Sequence, residues 1–394
     1  MLFDSNLMAS STPLYFDTAA STRIAPEVLA AMVAQLSDSD ANPASSEHLP
    51  GQAAARVVAA ARATVAAEFG CADDEVIFTS GATEANNLAL SGIALAHAAQ
   101  GRHIITSQIE HKSVLACCAA LTQHGFTITY LPPDRQGRIA PEAVAEALRP
   151  DTLLISLMHT NNETGVHQPI DEVAALAAEH GVLLHVDAAQ AAGKFGIDLD
   201  STPIDLLSLS AHKFHGPKGI GSLIVRNRRR LRLQPLLHGG GQEFGLRPGT
   251  LAPHQIIGLS TALQLAAQRR ADDLARITDL KQQFIQALSA RLPVHIHGHP
   301  TATSPYIVNF SIDAVPSSAL INQVATQLAM ASGSACTSGA IDPSYVLRAM
   351  GIEDGLVYGA VRFSFDRYHS QQDVQLAIDY LCTAAARIWE LASA

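Results

Sequence analysis

Seven short apolar runs rich in β-branched residues recur between helical patterns over residues 75–226: EVIFTS, HIITS, FTITYL, TLLISLMH, VLLHVD, DLLSLS and GSLIVR. Strand alternating with helix over such a stretch constrains the chain to an α/β fold with a mostly parallel, doubly wound sheet, because parallel neighbours need a crossover between them. Ligands in such sheets bind beyond the carboxyl ends of the strands, so the residues that follow each run are the candidates for chemistry. From about 254 to 290 the pattern is helical, and a short β-like run, YIVNFSI, then leads into further helices. That change of rhythm predicts a second, smaller α+β domain whose boundary falls inside the long helix. The large domain is placed at 15–262 and the small one at 263–394, with residues 1–24 packing on the small domain.

SLSAHKFHGPKGIG, residues 208–221, sets Lys213 at a strand exit before a glycine-studded turn. A lysine there is either a solvated surface residue or an amine whose burial lowers its pKa and makes it a nucleophile toward an aldehyde. After EVIFTS comes GATEANNLAL, where a small-residue turn opens a helix. Its free N–H groups suit an anion such as phosphate, although capping by Ser80 or Thr83 would equally account for the pattern. No G-x-x-x-x-G-K-[ST] and no G-x-G-x-x-G occurs, which leaves nucleotides without support.

VLLHV runs into Asp187, which is either a helix cap or a buried acid in need of a cationic partner such as a protonated pyridine nitrogen. His111 in QIEHKSV offers a flat group to stack on a ring, while Asn162 in HTNNETG and Gln190 offer donors to a phenolic oxygen. A phosphate turn, an acid for a ring nitrogen, a stacking group and a terminal lysine together describe what pyridoxal phosphate requires.

Bulk properties exclude other classes. The chain has 394 residues, 48% hydrophobic and 16% charged, enough for a sizeable core, and a formal net charge of -10 argues against general nucleic-acid binding. RNRRRLR at 226–232 is read first as a solvated edge and second as a docking patch for an acidic partner. The five cysteines form no C-x-x-C pair and leave one over in any disulfide scheme, which points to a reducing compartment. MLFDSNLMAS lacks the features of a secretory signal, no apolar run is long enough to span a bilayer, and the protein is expected to be cytoplasmic. HIHGHP at 295–300 could set His295, His297 and His299 on one strand face, but without a carboxylate or cysteine it makes a poor metal site, and no metal is expected.

YFDTAASTR, ANPASSEH, FTSGATEANN, QIEHKSV, HTNNETGV, HVDAAQ, SAHKFHGPKGIG, HGGGQEFGLRPGT and SGSACTSG, in this order, resemble the pyridoxal-phosphate cysteine desulfurases of the class V aminotransferase family, from about residue 15 to about 370. The resemblance implies the fold type I of pyridoxal-phosphate transferases, with a seven-stranded sheet in the large domain and a homodimeric assembly. It implies that Lys213 forms the Schiff base and moves the Cα proton, that Asp187 keeps the ring nitrogen protonated, and that His111 stacks on the ring and serves in proton transfer. Asn162 and Gln190 would flank the phenolic oxygen, Ala82, Thr83, Ser210 and His212 would hold the phosphate, and Thr250 would reach the partner's cofactor across the dimer. Arg362 in VRFSF would clamp the substrate carboxylate, with Asn162 beside it.

Cys336, in a Ser- and Gly-rich segment that reads as a mobile loop, resembles the nucleophile that accepts sulfur as a persulfide. The expected activity converts L-cysteine to L-alanine and passes sulfur to an acceptor protein. That acceptor would serve iron–sulfur cluster assembly, tRNA thiolation or DNA sulfur modification, and the ending ARIWELASA lacks the longer tail of scaffold-docking members. The alternatives are a selenocysteine lyase and a non-enzymatic sulfur carrier or scaffold.

Overall fold

The computed structural model describes residues 12–38, 41–332 and 343–393. Cys336 lies outside the described residues. The chain opens with β1 (Leu14–Tyr15), α1 (Pro26–Asp38) and α2 (Leu49–Phe69). Then come β2 (Val76–Thr79), α3 (Ala82–Ala96), β3 (His103–Ser107), α4 (Lys112–Thr122), β4 (Thr127–Leu131), α5 (Pro141–Ala147), β5 (Thr152–Met158), α6 (Ile170–His180), β6 (Leu183–Asp187), β7 (Leu206–Ser210) and β8 (Gly221–Val225). The remainder is α7 (Pro253–Ser289), β9 (Val294–His297), β10 (Ile307–Ile312), α8 (Ser317–Val324), β11 (Leu328–Ala329), β12 (Ala331–Ser332), α9 (Tyr345–Ala349), α10 (Asp354–Gly359), β13 (Val361–Ser364) and α11 (Gln371–Ser393).

Among the described residues, seven strands form one sheet in the order β2-β8-β7-β6-β5-β3-β4. All neighbours are parallel except β8, which runs against both β7 and β2. The central strands read as continuous apolar runs because helices cover both faces. Successive side chains go to opposite cores: Ile104, Leu154 and Leu206 join Leu88 and Ile93 of α3, while Ile105, Ile155 and Leu207 join Val58 of α2 and Val173 of α6.

A four-stranded antiparallel sheet, β12-β13-β10-β9, carries the second core. The 37 residues of α7 span about 55 Å and serve both cores. Ile256, Leu259 and Leu263 pack with the large sheet, whereas Ile277, Leu280, Phe284 and Leu288 pack with the small one. The N-terminal segment joins the small core: Leu14 and Tyr15 pair in parallel with Leu328 and Ala329, and the Phe16 ring stacks on Phe363 at 4.1 Å. Residues 17–20 are thereby delivered to the carboxyl ends of the large sheet.

The arginine run is a solvated edge only in part, since Arg229, Arg230 and Arg232 are exposed while Arg226 and Arg228 are half-buried against acids. Arg226 reaches the Gly70 carbonyl and the Glu75 and Asp200 carboxylates, and Arg228 and Arg229 share Asp74. The histidine tract also departs from one shared face. His295 is exposed beside Asp313, His297 is buried against Ser311, and β9 ends at His297, so His299 sits in the turn accepting the Ala302 N–H.

Candidate active site

A cavity of about 720 Å³ lies at the carboxyl ends of β2, β5, β6 and β7, where Ser80, Met158, Asp187 and Ser210 line it. Lys213 closes a single 3-10 turn, Ala211–Lys213, directly after β7. Its Nζ donates to the carbonyls of Ala19 at 2.6 Å and Ala20 at 3.0 Å, in the segment brought in by β1. Burial pushes the Lys213 amine down to about 8; the Arg362 charge adds to the fall, and Asp17 and Asp187 oppose it. A neutral amine poised near neutrality is what nucleophilic and proton-transfer work requires.

Asp187 is 4% exposed at the end of β6. Its Oδ1 accepts from the Ala189 N–H at 2.9 Å and its Oδ2 from Asn86 Nδ2 at 2.7 Å. No cationic side chain among the described residues forms an ion pair with it. A buried carboxylate that faces a cavity without a cation fits a protonated ring nitrogen. Asn86 Nδ2 also donates to Ser113 Oγ, and His111 Nδ1 pairs with the same hydroxyl at 2.8 Å. The His111 ring lines the cavity and is reached from it, yet enough protein surrounds it that burial lowers its pKa below the usual imidazole value, with Asp187 opposing.

Gly81 caps α3 without a side chain, at φ 151, so neither Ser80 nor Thr83 supplies the cap, and Ser80 N–H instead donates to Glu84. The N–H groups of Ala82 and Thr83 begin the helix at the cavity wall, opposite Ser210 and His212. A side chain at Gly221 would strike the Gly81 backbone at 2.7 Å, which explains a glycine where β8 passes this turn. Burial, with Lys213, Lys218 and Lys194 nearby, pushes His212 down to about 4, so the ring is neutral and pairs with Ser21 Oγ at 3.2 Å. Asn162 Oδ1 is buried without a partner, and Gln190 Nε2 spends one hydrogen on the Ala19 carbonyl. Both residues line the cavity. An uncapped helix start and a buried acid without a cationic partner, both at the wall of one cavity, together fit pyridoxal phosphate.

Arg362 is 8% exposed on β13. It donates to the Asn162 carbonyl at 3.0 Å and pairs with Asp17 at 2.6 Å, while its Nε is buried without a partner. Glu163 also lines the cavity. Burial pushes its carboxyl up to about 7 against the Ser344 hydrogen bond and the Arg362 and Lys112 charges. Thr250 is exposed and is not among the residues lining this cavity. Asn86, Ser113, Asp17 and Glu163 escaped the reading of the sequence. For Asn86 a signal existed, a polar residue on the buried face of an apolar helix.

The Aminotransferase class-V family model matches residues 14–376. The cysteine desulfurase IscS of Azotobacter vinelandii (strain DJ) is 44% identical over 381 residues, covering 96% of this chain and 94% of that protein. A solved NifS-like protein is 32% identical with a TM-score of 0.89, covering 95% of this chain and 100% of its own. A structure of SspA in complex with cysteine is 37% identical with a TM-score of 0.80, covering 91% of this chain and 100% of its own.

Proposed function

Since the chain belongs to the aminotransferase class-V family and is a pyridoxal-phosphate-dependent cysteine desulfurase, we propose that it carries the sulfur of L-cysteine to Cys336 and then to an acceptor protein, using the residues gathered around Lys213. When bound, pyridoxal phosphate supplies an aldehyde for the amine and a ring that draws electrons from the substrate Cα. Lys213 would hold the cofactor through Nζ, and the same atom, when free and neutral, would take the substrate's Cα proton. Asp187 holds a proton at the ring nitrogen. His111, which lines the cavity, would stack on the ring and could pass a proton at its free ring nitrogen.

The N–H groups of Ala82 and Thr83, with Ser210 and His212, bind the phosphate. Asn162 and Gln190 orient the phenolic oxygen. The Arg362 fork, which lines the cavity, binds the substrate carboxylate. Cys336, as thiolate, forms a bond to the substrate sulfur as the Cβ–S bond breaks with its electrons left on carbon. Protonation then gives alanine, and the sulfur remains on Cys336 as a persulfide. Thr250, exposed and outside the cavity, serves the partner subunit of a homodimer.

The observation that most supports this reading is the buried amine of Lys213 facing the same cavity as the unpaired Asp187 carboxylate. The acceptor belongs to iron–sulfur cluster assembly, tRNA thiolation or DNA sulfur modification. The free cysteines Cys71, Cys117, Cys118 and Cys382 suit the reducing cytoplasm. Among the described residues, no helix is long and apolar enough to cross a membrane.

The test supplies L-cysteine and a thiol reductant and measures alanine and sulfide, which should appear in equal amounts. Cys336→Ala should stop both while the visible band of the lysine-bound cofactor remains, and turnover preserved in that variant would refute the nucleophile assignment. Faster turnover of selenocysteine would favour a lyase for that substrate. 35S passed from cysteine to a captured protein identifies the acceptor.

A further inference from the structure

Lys194 lies buried behind the cofactor cavity, and no carboxylate among the described residues forms an ion pair with it. Its Nζ donates to Gln190 Oε1 at 3.1 Å and stands 5.3 Å from the centre of the Tyr306 ring. The charged and titratable groups around it are Lys213, Arg362, Arg367, Asp273, Asp366, His212, His215 and Tyr306. Burial, strengthened by Lys213, pushes the Lys194 amine down to about 7, with Asp366 opposing. An unpaired buried amine destabilises a fold unless it is neutral or well bonded, so its retention calls for a local task.

The task is written in the hydrogen bonds. Gln190 is held at both ends of its amide: Oε1 accepts from Lys194, and Nε2 donates to the Ala19 carbonyl at 2.8 Å. The Ala19 carbonyl is also the acceptor for Lys213 at 2.6 Å, so it is shared between the amide and the amine. Lys194 holds the Oε1 end, and that contact does not share its acceptor with Lys213. With the amide reversed, the Lys194 donors would face an NH2 group and the Ala19 carbonyl would face an oxygen, leaving both contacts repulsive. In the observed orientation the second Nε2 hydrogen has no protein partner, and Gln190 lines the cavity.

Resting on the function proposed above, we propose that Lys194 is a positioning residue for the cofactor site, acting through Gln190 by fixing the amide so that its free N–H serves the cofactor's phenolic oxygen. A donor there favours the deprotonated oxygen, so its loss should make the lysine-bound cofactor harder to deprotonate.

The experiment titrates the visible absorption of the purified, cofactor-loaded protein against pH for wild type, Lys194→Met, Gln190→Leu and the double variant. The midpoint in Lys194→Met should rise by roughly half a unit or more, and the double variant should match Gln190→Leu alone. An unmoved midpoint in Lys194→Met, or shifts that add in full, would overturn the proposal. Gln190→Glu keeps an acceptor for Lys194 but has no N–H. It should also raise the midpoint, and no rise there would overturn the proposal even if Lys194→Met failed to fold. A wild-type protein with no cofactor band would instead sink the functional reading and this inference with it.

Discussion

Arg362 Nη2 lies 2.6 Å from Asp17 Oδ1, an ion pair joining side chains 345 positions apart. Arg362 lines the cavity and the pair ties the N-terminal segment to β13, so the arginine proposed for the substrate carboxylate is already aligned before substrate arrives. Arg362→Lys keeps the charge but loses the fork. KM for cysteine should rise roughly 10–100-fold, with kcat less affected, since a charge-assisted hydrogen bond of about 1.5–3 kcal/mol is lost. Asp17→Asn should raise KM by less. Steady-state kinetics decide it: an unchanged KM in Arg362→Lys would make the arginine a structural tie only.

Asp187→Asn keeps an acceptor for the Ala189 N–H, and Asn86, whose Oδ1 has no partner, can turn its amide to accept from the new NH2, so the fold should persist. The negative charge facing the ring nitrogen is gone, and kcat should fall by roughly 10²–10³-fold. Turnover within a few-fold of wild type would show that the ring needs no anion there.

Lys213 becomes a competent nucleophile only when neutral, and burial holds its pKa at about 8. Below that pH the rate at which cofactor-free protein captures pyridoxal phosphate should rise about tenfold per pH unit and then level off above it. Stopped-flow absorbance reads this directly. A rate still climbing well beyond pH 8 would mean that the amine is not perturbed.

Glu163 carries its proton in the folded protein up to about pH 7, whereas in the unfolded chain it ionises near the ordinary glutamate value. Between those values the folded state binds more protons, so this residue's contribution to stability is full at low pH and is lost as pH rises through about 7. Glu163→Gln, still able to accept from Ser344, removes that loss. Its stability relative to wild type should therefore improve from acid to neutral pH by about 1–3 kcal/mol, read by denaturant melts. A constant difference across that range would contradict the shifted carboxyl.

The alternation of strands was legible because β5, β6 and β7 bury both faces and so read as unbroken apolar runs; Asp187 and Ser210 end β6 and β7, and Lys213 closes the turn after β7. The amide and acid constellation was less legible. Lys213 is held by two backbone carbonyls nearly 200 positions away, which carry no side-chain signature. Asp17 and Arg362 meet only because β1 pairs with β11 and β13 lies beside that segment. Arg226 and Arg228 misled because their acids, Glu75 and Asp74, lie at the entrance to β2, which pairs with β8 but stands about 150 positions away in sequence. Lys194 in GKFG has no local pattern to separate it from a surface lysine.

The linkage between one lysine and the cofactor can be fixed directly. Reducing the loaded protein with borohydride and mapping the modified peptide by mass spectrometry should place the pyridoxyl group on Lys213. The group on Lys194, the other buried amine of the site, or on no lysine at all, would contradict the account.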